Sequence, residues 1–333
     1  MTTIRDIAVQ LGVSPSTVSR ALQGSKEVSP EMQRRVKDLA HELNYTPNLL
    51  ARSLVRSRTD TIGFLILEFA NPFFIPVIQA IEDVVQARGY SVMIGQSHRQ
   101  IEDEKRILKH FEMLQVSGII LAPTLEETAY LTELSTRGIP LVVVGRTTPG
   151  LMCISIDNVK GGRIVARHFL DGGHAKFGAV ISGEKYNLPE QERIAGLQAE
   201  LMADGGSLPA KWVINTGRSG TAGGVLAARR WLEMEERPSA LFCATDRLAI
   251  GFIHELRQAG VEIPAQVSVA SFDDIPFSEY LEVPLTTVAY PKFQLGELAA
   301  ETLLQMIENP DPDRVPEPVL LEPQLIVRKS SGG

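Results

Sequence analysis

From Thr61 onward, apolar runs of strand length alternate with amphipathic helical stretches, and few folds can absorb that pattern. The runs include TIGFLIL, YSVMIG, SGIILAP and IPLVVVG, then KFGAVIS, KWVINT, ALFCAT and VSVASFDD. Between them stand stretches such as FFIPVIQAIEDVVQARG, EDEKRILKHFEMLQ, VKGGRIVARHFLDGG and RLAIGFIHELRQAG. Near-continuous Val/Ile/Leu strands mark a parallel sheet buried on both faces, because each crossover lays a helix over the sheet. The 333-residue chain holds enough such units for two sheets, so two similar α/β lobes are expected.

The first 45 or so residues follow a different rule and contain no strand pattern. Ile4, Ile7, Ala8 and Leu11 fall at helical spacing, and Gly12 suits the residue after a helix end, where positive φ costs a glycine nothing. Ser14 then caps a second helix with Pro15 at its first position. That helix, 15–22, buries Val18, Ala21 and Leu22 and leaves Ser16, Thr17, Ser19 and Arg20 polar. A third helix from Ser29-Pro30 to Leu43 carries Val36, Leu39, Ala40 and Leu43 on one face. Two short helices about a Gly-containing turn, with hydroxyls and Arg at the start of the second, fit a helix-turn-helix. Hydroxyls and Arg meet base edges in a major groove, and the amides of a helix N-terminus meet phosphate. By spacing alone a generic three-helix bundle fits equally well.

Charge is divided unevenly between these regions. Residues 1–60 carry nine Lys/Arg against six acids, a net +3, which leaves −10 on the rest of a chain whose total is −7. A basic head on an acidic body concentrates phosphate binding at one end. Between them, Pro47 fits a first helical position and 48–56 continues as a short helix, one too short to be stable alone in water. Arg56-Ser57-Arg58-Thr59-Asp60 then reads as a linker.

Several classes are disfavoured. The opening Met-Thr-Thr-Ile-Arg-Asp carries charge at once, unlike a secretory leader, and no apolar run reaches the ~18 residues of a membrane span. Cys153 and Cys243 each lie in an apolar run, as expected of buried thiols in a cytoplasmic protein rather than a disulfide or metal site. No G-x-G-x-x-G, P-loop, G-x-S-x-G or H-E-x-x-H occurs, so neither an enzyme nor a cofactor is expected.

The run TIRDIAVQLGVSPSTVSRAL, followed by VSPEMQRRVKDLAHELNYTPNLLARSL, closely resembles the DNA-binding head of the lactose/galactose repressor (LacI/GalR) family. Gln23 stands where that family usually has Asn. The resemblance implies that Pro15, Ser16 and Arg20 face bases, while Ser14, Thr17 and Ser19 lie near phosphates; Thr3 joins this DNA-contacting set. It also makes 47–60 a hinge whose helix folds on DNA, with Asn48 and Ala51 at the DNA and Leu54 pressed into the minor groove. An apolar wedge of that kind kinks the duplex. The expected molecule is a homodimer, or a tetramer, on palindromic double-stranded DNA.

The remainder resembles the family's periplasmic-binding-protein-like body through Asn71-Pro72-Phe73-Phe74, Ile156-Asp157-Asn158, Arg193-x-x-Gly196, Ala244-Thr245-Asp246 and Phe272-Asp273-Asp274. The expected fold is therefore an all-α head (1–46), a hinge (47–60) and an α/β body (61–330) of two doubly wound parallel-sheet lobes. The first lobe is expected at 61–156 plus 290–318, the second at 157–289 plus 319–330. In such folds a ligand sits at the carboxyl ends of strands. Asn71, Arg146, Asp246 and Asp273 occupy such ends, and Arg193, Phe73, Phe74 and Tyr290 complete the expected effector site. Carboxylates, a bidentate Arg and an aromatic face suit a hydroxyl-rich ligand, a sugar or sugar derivative. A purine-responsive or dual activator/repressor is the alternative. Ser271 replaces the Gly that usually precedes the aromatic-Asp pair.

Overall fold

The computed structural model describes residues 3–22, 24–43, 45, 59–124, 129–183, 187–311 and 317–332. They form two compact units that divide at Thr59/Asp60. In the first, α1 (Ile4–Leu11) starts in a capping box: the Thr3 side chain accepts from the Asp6 amide while the Asp6 carboxylate accepts from the Thr3 amide. Gly12 ends it at φ 65°. Ser14 accepts from the Thr17 amide (3.1 Å) at the start of α2 (Pro15–Leu22), and Ser29 caps α3 (Pro30–Glu42). The apolar faces meet in a small core of Ile7, Ala8, Val18, Ala21, Val28, Val36 and Ala40.

The second unit contains two six-stranded sheets. The first runs through β1 (Thr61–Ile66), α4 (Phe74–Ala87), β2 (Ser91–Gln96), α5 (Ile101–Met113), β3 (Gly118–Leu121), α6 (Ala129–Thr136), β4 (Leu141–Val144) and β5 (Met152–Ile156). The chain then crosses into the second lobe through α7 (Asn158–Asp171), β6 (Phe177–Ile181), α8 (Leu188–Ala203) and β7 (Val213–Asn215). That lobe continues with α9 (Gly220–Leu232), β8 (Ala240–Cys243), α10 (Asp246–Gln258), β9 (Ser268–Phe272) and β10 (Thr286–Ala289). Next, α11 (Lys292–Glu308) returns to pack on α4, and β11 (Val319–Leu321) and β12 (Gln324–Ile326) finish one sheet each.

Strand orders are β2-β1-β3-β4-β5-β11 and β7-β6-β8-β9-β10-β12, parallel except for β12. Both reverse direction beside their first strand, which opens a crevice at the carboxyl ends there. One expectation needs correcting: 319–321 belong to the first lobe, because β11 pairs in parallel with β5 (Leu320 opposite Ser155). The final crossing therefore falls between Leu321 and Gln324. The runs of fully buried Val, Ile and Leu along β1, β3 and β4 reflect cover on both faces.

Candidate functional site

The carboxyl ends of the strands converge on a cavity of about 350 Å³ between the lobes. Seven of the eight expected residues line it: Asn71, Phe73, Phe74, Arg146, Arg193, Asp273 and Tyr290. Asn71, in the turn after β1, accepts from the Phe73 amide (3.2 Å) and so shapes the entry to α4. Phe73 packs edge-on against Phe74 with centroids 4.9 Å apart, and its centroid lies 5.8 Å from that of Tyr290. These rings form the apolar wall.

Arg193 is the most heavily constructed member. Its Nε donates to Asn158 Oδ1 (3.0 Å) and its Nη1 to the Ala244 carbonyl (2.7 Å), while Nη2 stands 3.5 Å from Asp273 Oδ1. The guanidinium lies over the Phe272 ring, 3.7 Å from its centroid. Its helix reaches this position because α7 and α8 meet backbone to backbone. A Cβ at Gly162 would lie 2.0 Å from the Arg193 carbonyl oxygen, and one at Gly196 would lie 2.0 Å from that of Val159. Gly162 of α7 and the Gly three residues past Arg193 are thus the sequence's means of bringing the guanidinium to Asn158.

Asp273 follows β9 with φ 121°, a backbone state that residues with side chains rarely adopt. Its carbonyl accepts from Lys292 Nζ (2.6 Å). Burial pushes its carboxyl up to about 7; Arg193 pulls it down, the charge of Asp246 pushes it further up, and Lys292 opposes. Burial likewise raises the Tyr290 phenol, with the Asp273 charge acting in the same direction.

The eighth expected residue departs from expectation. Asp246 is fully buried and absent from the cavity wall. Its Oδ1 accepts from Ser271 Oγ and Thr287 Oγ1 (2.5 Å each), and its Oδ2 from Ser278 Oγ (2.6 Å) and the Ile275 amide (2.8 Å). With four donors from three segments, the carboxylate ties β9, β10 and the 275–278 turn to the start of α10. Ser271, where the family usually has Gly, is one of those donors rather than part of the cleft wall. Burial raises the Asp246 carboxyl and the three hydroxyls draw it back.

Sequence reasoning missed Arg99, Gln100, Thr124, Asn187, Glu190 and Thr245, all of which line the cavity. Position alone could have found several: Arg99, Thr124 and Thr245 each lie within three residues of a strand's carboxyl end, and Glu190 sits one helical turn before Arg193. Glu190 is buried and accepts from the amide (3.0 Å) and hydroxyl (2.7 Å) of Ser182. Glu104, also buried, accepts from the Thr124 amide (2.7 Å) and from the Tyr130 hydroxyl, fixing the loop that carries Thr124.

In the head, Pro15, Ser16 and Arg20 are exposed on α2 and Ser14 just before it, Thr17 and Ser19 are partly buried, and Thr3 is exposed just before α1. Arg20 donates to Glu27 (2.7 Å) and to the Ser16 carbonyl (3.3 Å). Asn48, Ala51 and Leu54 lie outside the described residues, as do Gln23 and nearly all of the hinge.

A helix-turn-helix head on a two-lobed binding body defines a ligand-responsive DNA-binding regulator. Residues 3–48 match the bacterial regulatory proteins of the lacI family, and 166–331 match the periplasmic binding protein-like domain. The chain is 35% identical to the ribose operon repressor of Haemophilus influenzae, over 99% of this chain and 98% of that one. It is 31% identical to the transcriptional repressor PurR of Photobacterium profundum, with the same two coverages. A solved complex of the transcriptional regulator CelR with cellobiose superposes with a TM-score of 0.74 at 27% identity, covering 99% of this chain and all of that one. The chain belongs to the LacI family of DNA-binding transcriptional regulators.

Proposed function

We propose that the protein is a homodimeric repressor whose affinity for a palindromic operator is set by a sugar or sugar derivative bound between its lobes. The observation that carries this reading is the convergence of Arg193, Asp273 and the Phe73/Tyr290 rings on one cavity. Such a wall offers a planar donor, an acceptor and an apolar face, the set a polyhydroxylated ring needs. The ribose operon repressor at 35% identity and the cellobiose-bound CelR point the same way. The Arg193–Asp273 pair joins elements of the second lobe, so a ligand touching it and the aromatic rings of the first lobe favours closure. Closure is then felt by the heads through the dimer, a coupling for which ~1–3 kcal/mol suffices.

Ser16 and Arg20 read bases, and the hinge with Asn48, Ala51 and Leu54 folds against the minor groove. The decisive test is a thermal-shift panel of D-ribose, other sugars, sugar phosphates and nucleobases, run on wild type and Arg193→Ala. A sugar should raise the wild-type transition and leave the variant unmoved. If no compound shifts wild type, or the variant responds equally, the assigned cavity is wrong. A response to nucleobases alone would instead favour a purine-responsive regulator, the reading that similarity to PurR supports.

A further inference from the structure

At the cavity's edge, Glu68 makes a bridge between the lobes that sequence order gives no reason to expect. Glu68 follows β1 in the first lobe, whereas Arg247 is the second residue of α10 in the other, 179 positions away. Arg247 Nη1 donates to Glu68 Oε2 (2.7 Å), and Arg99 Nε of the first lobe donates to Oε1 (3.3 Å). All three side chains are only 21–24% exposed, so water screens the pair less than it would on an open surface.

The backbone on both sides is arranged for this contact. In the first lobe, His98 and Arg99 take consecutive left-handed conformations (φ 50° and 59°), which two non-glycine residues do not adopt without support. The neighbouring turn is held by the Phe69 amide, which donates to Gln96 Oε1 (2.9 Å). In the second lobe, a Cβ at Gly220 would lie 2.7 Å from Arg247 Nη2, so the glycine leaves the guanidinium room without displacement. The helix end bearing Arg247 is anchored by its neighbour, the four-donor Asp246, and by the Thr245 cap.

We propose that Glu68 is a positioning residue that locks the lobes at the mouth of the cleft, its carboxylate shared between Arg99 of its own lobe and Arg247 of the other. The lock adds to the stability of the arrangement in which the lobes meet, so part of the population is closed without ligand and a ligand completes the shift. Its consequence for the effector rests on the ligand-binding reading above. A ligand that needs the closed form binds more tightly the more that form is already populated.

The test uses the full chain with spin labels at two exposed sites, Lys109→Cys and Glu235→Cys, the native cysteines being buried. With doubly labelled chains diluted into unlabelled ones, so that only distances within one chain are read, ligand-free wild type should show a short interlobe distance in part of the molecules. Glu68→Gln and Arg247→Met should each deplete that short distance, and Arg247→Lys should keep it. Distributions that superpose on wild type for both Gln and Met overturn the proposal. Should Glu68→Gln fail to fold, Arg247→Met carries the same test. In parallel, titration calorimetry with D-ribose should show about tenfold weaker binding by Glu68→Gln, an ordinary size for coupling of this kind. If D-ribose does not bind wild type, the choice of sugar is at fault, and the distance measurement alone decides the lock.

Discussion

Replacing Gly162 with alanine sets two effects of known size against each other. Glycine inside a helix is ~0.5–1 kcal/mol worse than alanine, so on propensity the change should stabilise. Against this, the new Cβ would meet the Arg193 carbonyl oxygen at 2.0 Å and the Leu197 amide nitrogen at 2.8 Å, where real Cβ atoms stay beyond 3.0 Å. The two helices must therefore separate by roughly 1 Å along their closest line, since backbone cannot swing aside as a side chain can. Overpacking costs ~1–3 kcal/mol, and a backbone neighbour puts this case at the upper end. The clash outweighs propensity by about 1–2 kcal/mol, and for a body of this size the melting temperature should fall by roughly 2–8 °C. The same separation withdraws Arg193 from Asn158 and Asp273, so affinity for the ligand found in the panel should drop at least about tenfold, because binding constellations tolerate only ~0.5 Å of error. Thermal unfolding and calorimetry of Gly162→Ala, with Gly172→Ala as control, measure both quantities. At Gly172 the nearest atoms to a new Cβ lie at 3.4 Å, so the control should be neutral. A Gly162→Ala protein as stable as wild type, with intact ligand affinity, would refute the idea that helix contact places Arg193.

Asp246→Ala should destabilise by about 3–5 kcal/mol, because it strands buried donors, the Ile275 amide among them. Asp246→Asn should cost less, since the Ser271 and Thr287 hydroxyls can turn to accept; equal melting of the Ala variant and wild type would contradict the anchoring role. For Asp273, folding raises the carboxyl from 3.8 to about 7. The protonated form is thus the one folding favours, and its stabilising contribution is full below about 4 and lost as pH rises to about 7. Asp273→Asn should remove that part of the decline, which paired melting curves at pH 5 and 8 would show; parallel declines in the two proteins would exclude it. In the head, Arg20→Ala breaks an exposed pair with Glu27 and an exposed hydrogen bond to the Ser16 carbonyl, and should cost ~0–1 kcal/mol of stability. It should nonetheless remove ~1–3 kcal/mol of discrimination between operator and scrambled DNA in fluorescence anisotropy. Equal weakening on both duplexes would reassign Arg20 to phosphate contact.

Much of the architecture was legible because it depends on neighbours in the chain. Helix ends at Gly12, Ser14 and Ser29 follow from caps and glycine geometry, and the strand runs follow from burial on both faces. Strand ends also led to Asn71, Arg146 and Asp273. The two aspartates at adjacent strand ends, Asp246 and Asp273, look alike in sequence yet have different fates. Only the folded chain brings Ser271, Ser278 and Thr287 around the first, while leaving the second at the cavity beside Arg193. The closing strand β11 was misplaced for a related reason: three residues near a crossing carry no local signal of which sheet they join.

Periodicity, capping and charge segregation act over a few residues, so the sequence by itself determined the helical head, the basic-to-acidic division and the pair of parallel-sheet lobes. The tertiary structure decided which carboxylate faces the cavity, how closely α8 approaches α7, and that Glu68 meets Arg247 across the cleft. These outcomes rest on partners as many as 179 positions apart. Whether a charged side chain is satisfied inside the protein or left for a ligand depends on the donors that long-range packing gathers around it, and local pattern does not encode that.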